Sequence, residues 1–168
     1  EAIAEFQKEL ALAPSDATTR LRLGMALVEA QRPREALAHL EIVVRAGSPP
    51  ADAFHYLGRC RLALDRPAEA VTALRRALDL SSGPHVDELR LLGIHYQLAQ
   101  ALRASGDPAG AARHFTAAEQ LSAKRAERSR ERLASYMARA EDAAVPAAAG
   151  PLPPVVDRVA APAAPRRA

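Results

Sequence analysis

Residues 17–50 read ATTRLRLGMALVEAQRPREALAHLEIVVRAGSPP, and residues 51–84 read ADAFHYLGRCRLALDRPAEAVTALRRALDLSSGP. Set one over the other, the two stretches agree where packing is at stake. Leu23-Gly24 falls on Leu57-Gly58, Arg32-Pro33 on Arg66-Pro67, Ala36 on Ala70, Leu40 on Leu74 and Val44 on Leu78. Stepping back by the same 34 residues, Ala2, Phe6 and Leu10 stand where Ala36, Leu40 and Val44 stand in the next unit. A fixed period of this size in an apolar, helix-favouring chain marks a stacked helical solenoid, in which each unit buries its apolar face on its neighbours.

The punctuation divides each unit into two helices. In residues 1–13, Ile3, Phe6, Leu10 and Ala13 share one helical face. Pro14 and Ser15-Asp16 end that helix and offer a cap for a second over about 17–30. Pro33 and Pro67 each fit the first turn of a helix, where the missing N–H costs nothing, and predict helices over 33–45 and 67–80. Ser48-Pro49-Pro50 and Ser81-Ser82-Gly83-Pro84 break the chain on either side of a helix over 51–64. In the third unit Leu98-Ala99, Asp107-Pro108, Ala111 and Phe115 follow their counterparts by 41 residues. Seven extra residues are about two helical turns and rotate a helical face by only ~20°. They therefore predict one extended helix over about 85–104. No Pro or Gly interrupts the chain between Phe115 and Pro146, so the helix begun at Pro108 is expected to run to about 142. Its stretch 124–142 carries a narrow stripe (Ala126, Leu133, Tyr136, Met137, Ala140) beside many charges. The expectation is a charged capping helix whose far end packs on the last repeat, with a partner-binding or coiled-coil helix as the alternative. Residues 143–168 hold six prolines among small side chains and are expected to be a disordered linker.

Composition narrows the class. Trp and Asn are absent, and Lys occurs only at Lys8 and Lys124. With Ala, Arg and Pro in excess, this reads as the coding bias of a GC-rich, bacterial genome. The Arg content is therefore weak evidence for nucleic acid. Arg is interleaved with Glu and Asp, the net charge is only +3, and the six aromatics are too few for a single-strand stacking platform. No apolar run reaches the ~18–20 residues that span a bilayer. Cys60 is the only cysteine, so no internal disulfide can form, and its position suits a small buried group. The chain opens with Glu1 in mid-pattern, as expected of a piece of a longer protein.

The markers resemble those of tetratricopeptide repeat proteins. In the second unit they are Phe54, Leu57-Gly58, Arg61, Asp65-Arg66, Ala70, Leu74, Ala77 and Ser82. In the first they are Arg20, Leu23-Gly24, Leu27, Gln31-Arg32, Ala36, Leu40, Val43 and Ser48. In the third they are His95, Leu98-Ala99, Leu102, Gly106-Asp107, Ala111, Phe115, Ala118 and Ala123. Arg20, Arg61 and His95 depart from the family, which usually places apolar or aromatic groups there. The resemblance covers about residues 1–123. It implies an all-α, right-handed superhelical solenoid of antiparallel helix pairs. Residues 1–14 would be the second helix of a truncated repeat, and three repeats would follow over about 15–48, 49–82 and 83–123. Gly24 and Gly58 are read as points of close helix approach, with Ala36, Ala70 and Ala111 small on the facing helix.

No catalytic pattern is present: no phosphate loop, no paired cysteines, no HExxH. His39, His55, His85, His95 and His114 form no i,i+3 or i,i+4 pair with another His or Cys, so neither a metal site nor a cofactor is expected. Glu127 with Arg130 and Glu131 with Arg128 read as pairs on a helix surface. The resemblance implies that the first helix of each unit lines a concave groove. Its outward positions here are Arg22, Met25 and Glu29, then His55, Tyr56, Arg59 and Leu62, then Tyr96, Gln97, Gln100 and Arg103. The arginines offer forked donors for carboxylates and the tyrosines flat apolar area. One subgroup of the family clamps a chaperone C-terminus with Lys, Arg and Asn. The matching positions here are Leu21, Met25, Tyr56, Gly93 and Gln97, which lack that charge. The expected function is a non-enzymatic scaffold holding a peptide or partner domain with some acidic character. The alternative is an accessory region of a larger enzyme. Ile3, Phe6 and Leu10, without a partner helix, are expected to lie bare and to allow self-association.

Overall fold

A computed structural model describes residues 1–81 and 87–144, the side chains of 141–144 excepted. The described residues form seven helices and no strand: α1 Ala2–Leu12, α2 Ala17–Glu29, α3 Pro33–Val44, α4 Ala51–Ala63, α5 Pro67–Leu80, α6 Glu88–Ala104 and α7 Pro108–Ala144. The expected linker beyond 144 and the expected α6 start at 85 lie outside the described residues. Contacts divide the chain at Arg128 and Ser129. In the first unit each helix from α1 to α6 packs on the next, α2 also meets α4, and α4 meets α6. The backbones of α1, α3 and α5 do not approach one another. Inner helices that touch and outer helices that are splayed give the stack a curved inner face and open furrows outside.

Three local devices recur among the helix pairs. Asp16 and Asp87 cap α2 and α6, their side chains accepting from the Thr18 and Leu89 N–H groups. The turns between paired helices are Schellman motifs that repeat in phase. The N–H of Arg32, Arg66 and Asp107 reaches the carbonyl of Leu27, Arg61 and Leu102 at 2.8–2.9 Å, and Gln31, Asp65 and Gly106 bond three residues back. All three of the latter have positive φ, 58°, 57° and 90°, but only one is glycine. Finally, Arg32 and Arg66 bond Glu35 and Glu69 across the first turn of α3 and α5, tying down the proline-led starts.

The core runs continuously from unit to unit. Leu23, Leu27, Leu40 and Leu57 are buried together with Cys60, and Leu74, Leu98, Leu102 and Ala111 form the next cluster. Gly24 and Gly58 are indeed points of close approach, but the residues seated on them are Leu40 and Leu74 rather than the alanines. A Cβ on Gly24 would lie 2.8 Å from Leu40 Cδ2, and one on Gly58 would overlap Leu74 Cγ. In the third unit Ala99 takes the glycine's place and is wholly buried. Cys60 donates from Sγ to the Pro33 carbonyl at 2.8 Å, as a small buried group would. Arg61 is half-buried at the family's apolar position. Its Nη1 bonds the Glu69 carbonyl, and the Glu41 and Glu69 carboxylates stand 3.7 Å away.

Three expectations are corrected. Ile3, Phe6 and Leu10 are not bare but half-buried against the α2 core, because α2 covers that face of α1. The seven-residue excess of the third unit does not lie in one helix. α6 has 17 residues against 13 in α4, and the other three precede it. In the second unit, the described residues from Ser129 to Ala144 are helical, as expected. Leu133, Tyr136 and Met137 are 61%, 69% and 51% exposed. Arg128 pairs with Glu88 of α6 at 2.6 Å rather than with Glu131, and no ion pair joins Glu127 to Arg130.

Three substitutions test this account by urea unfolding. Gly58→Ala should lower stability by about 1–3 kcal/mol through overpacking against Leu74, although alanine is the better helix former. Gly93→Ala, whose Cβ would meet His55 Cε1 at an ordinary 3.5 Å, should be neutral or stabilising. Gln31→Gly should stabilise by about 0.5–1 kcal/mol by removing left-handed strain from a non-glycine residue.

Candidate protein-binding groove

The touching faces of α2, α4 and α6 form the inner groove. At its α2–α4 seam, Arg59 Nη1 bonds Glu29 Oε1 at 2.5 Å, and the Arg59 guanidinium lies 4.9 Å from the Tyr56 ring centroid. The Arg59 bond holds the Glu29 carboxyl below its usual range, and a Tyr56 hydrogen bond adds to this. At the α4–α6 seam, Arg90 Nε meets Asp52 Oδ1 at 3.0 Å. Between the seams opens a cavity of about 490 Å³, lined by Val28, Gln31, Arg59, Leu62, Gln97, Gln100 and Arg103 among others. Arg103 stacks on Phe115 at 5.8 Å, is exposed, and has no ion pair among the described residues. The lining thus joins a short apolar strip to three primary amides and two guanidiniums.

Of the eleven groove positions read from the sequence, Arg59, Leu62, Gln97, Gln100 and Arg103 line the cavity. Glu29 and Tyr56 stand beside it, holding Arg59. Arg22 is exposed and Met25 half-buried, and neither lines the cavity. Tyr96 turns its ring edge-on to Phe115 at 5.7 Å. His55 lies between α4 and α6, 5.5 Å from the Tyr56 ring, with its Nε2 buried and unpartnered. Sequence reasoning missed Gln31 and Val28, which belong to the turn and buried face of α2. It also missed the Glu29–Arg59 pair, whose signal is arithmetic: thirty residues is one repeat less one helical turn.

The histidines form no cluster of three metal-binding side chains among the described residues. His95 and His114 nevertheless meet across α6 and α7, Nδ1 to Nδ1, at 2.9 Å. A search within single helices could not find this pair. Desolvation pushes both below the ordinary histidine range, and each faces further positive charge, His95 from His114, and His114 from Arg113 and Arg75. Burial presses His55 down to about 4. Arg59 and Arg90 press in the same direction, and Asp52 and Glu29 oppose them. His55 is therefore neutral in the fold but charged in the unfolded chain below about pH 6.5. Its contribution is complete above pH 6.5 and is lost as pH falls toward 4, by up to an order of 3 kcal/mol. Chemical unfolding at pH 7, 6, 5 and 4 should show falling stability, and His55→Gln should flatten that slope. An unchanged slope in the variant would contradict the assignment.

The fold and groove define a helical-repeat interaction scaffold. The sequence profiles of the tetratricopeptide repeat match residues 21–83 and 92–115, together just over half of the chain. The chain belongs to the tetratricopeptide repeat family. Among solved structures it is similar to MamA AMB-1, at 24% identity and a TM-score of 0.62, over 73% of this chain and 68% of that one. It is similar also to MamA residues 41 to the end from Desulfovibrio magneticus RS-1, at 26% identity and a TM-score of 0.62, over 73% and 65%. A double mutant of MamA RS-1 gives a TM-score of 0.63 at 26% identity over the same shares. The chain thus spans about two thirds of the length of these relatives. No curated protein matches it. No helix among the described residues is long and apolar enough to cross a membrane.

Proposed function

We propose that the groove of α2, α4 and α6 holds a peptide segment of a partner protein, with an acidic side chain directed to Arg103. The observation that carries this reading is the cavity itself, where Arg103 offers forked donors free of any carboxylate among the described residues, beside the hydrogen-bonding amides of Gln97 and Gln100. Leu62 and Val28 supply the apolar floor for a neighbouring side chain. Arg59 is less available, because a ligand carboxylate would compete with Glu29 for it. The acidic preference therefore rests on Arg103 first. Binding of this kind needs no chemistry from the chain, only shape, donors and the rigidity of stacked helices.

The test is fluorescence anisotropy on an array of labelled acidic peptides. Arg103→Ala should weaken the best binder at least tenfold, and Gln97→Ala with Gln100→Ala should weaken it further. Arg59→Ala should weaken it as well, since it leaves the Glu29 carboxylate unpaired against the ligand. Affinity unmoved by all of these changes would remove the groove from the account.

A further inference from the structure

We infer that the outer furrow between α3 and α5 is a second protein-binding site, separate from the groove, for a segment carrying glutamate or aspartate beside an apolar side chain. The furrow exists because the outer helices do not touch, so α4 is left as its floor. It encloses about 490 Å³. Val44, Phe54, Leu57 and Ala73 give it an apolar bed, and Thr72, Arg75, Arg76 and Asp79 form its rim as one exposed stripe of α5. At the bottom Arg61 is already held between Glu41 and Glu69, so it closes the floor without offering net charge. Its buried Nε lacks a hydrogen-bond partner. The free charge is on the rim. Neither Arg75 nor Arg76 makes an ion pair among the described residues, and Asp79 is the one carboxylate on that stripe. The rim is therefore cationic above an apolar bed, which selects an acidic amphipathic segment.

The repeat supplies an internal control. Thirty-four residues earlier, the places of Phe54, Arg75 and Arg76 are taken by Arg20, Glu41 and Ile42. The packing positions recur in phase and these three do not, so the cationic, aromatic furrow is no requirement of stacking. A flat anionic membrane would engage the arginines but could not reach Phe54 in the recess, and this favours a peptide over a lipid surface.

The experiment is an amide-detected NMR titration of the whole chain with an acetylated, amidated octapeptide of glutamates flanking one leucine and one phenylalanine. The expected result is saturable shifts at Phe54, Thr72, Arg75 and Arg76. Arg75→Glu with Arg76→Glu, both at exposed positions, should weaken binding at least tenfold with the helical circular dichroism unchanged. Arg103→Ala in the groove should leave this binding intact. Shifts confined to Gln97, Gln100 and Arg103, or equal affinity for the charge-reversed chain, would overturn the proposal. So would phosphatidylserine vesicles that displace the peptide through Arg75 and Arg76.

Discussion

The seating of a leucine on a glycine, Leu40 on Gly24 and Leu74 on Gly58, fixes how close the two helices of a unit can come. From that separation follow the depth of the core and the placement of Leu23, Leu57 and Leu98 beneath the inner helices. The αL turns at Gln31, Asp65 and Gly106 then return the chain at one fixed angle in each unit. With spacing and angle both set, the inner helices meet side by side and the outer ones cannot. Groove and furrow are the two sides of that one geometric restriction.

The two faces differ in how their charge is used. On the inner side, Glu29–Arg59 and Asp52–Arg90 bridge successive inner helices, so much of the groove's charge is spent on joining neighbours, and Arg103 is left with its donors free. On the outer side, Arg61 joins α3, α4 and α5 through Glu41 and Glu69, below a rim whose arginines make no ion pair among the described residues. In both places the buried or bridging cation holds repeats together, and its exposed neighbours are left to meet something else.

The period made the fold legible. Leu-Gly, Arg-Pro and Ala-Leu markers in phase located six of the seven helices to within a residue or two. The positions that escaped were those set by partners distant in sequence. Asp87 is an ordinary aspartate until α6 is seen to start behind it. Nothing local joins Arg128 to Glu88, or His95 to His114. Leu133, Tyr136 and Met137 have helical spacing, which predicts a face but not what covers it. In the groove, period and face named Arg59, Leu62, Gln97, Gln100 and Arg103, which line the cavity. They named Arg22 and Met25 as well, which the period counts alike but which stand clear of the cavity. The furrow was invisible because it arises from the absence of contact between α3 and α5, and a residue pattern encodes contacts.

The setting of Cys60 has a consequence for how this chain meets oxidants. Its sulfur is buried between helices, bonded to the Pro33 carbonyl, and desolvation lifts the thiol to about 11, so almost none of it is thiolate near neutrality. Peroxides and disulfide exchange act on the thiolate. The described helices thus present no cysteine handle to redox signals, and a thiol introduced at the surface could be labelled without competition from the native one.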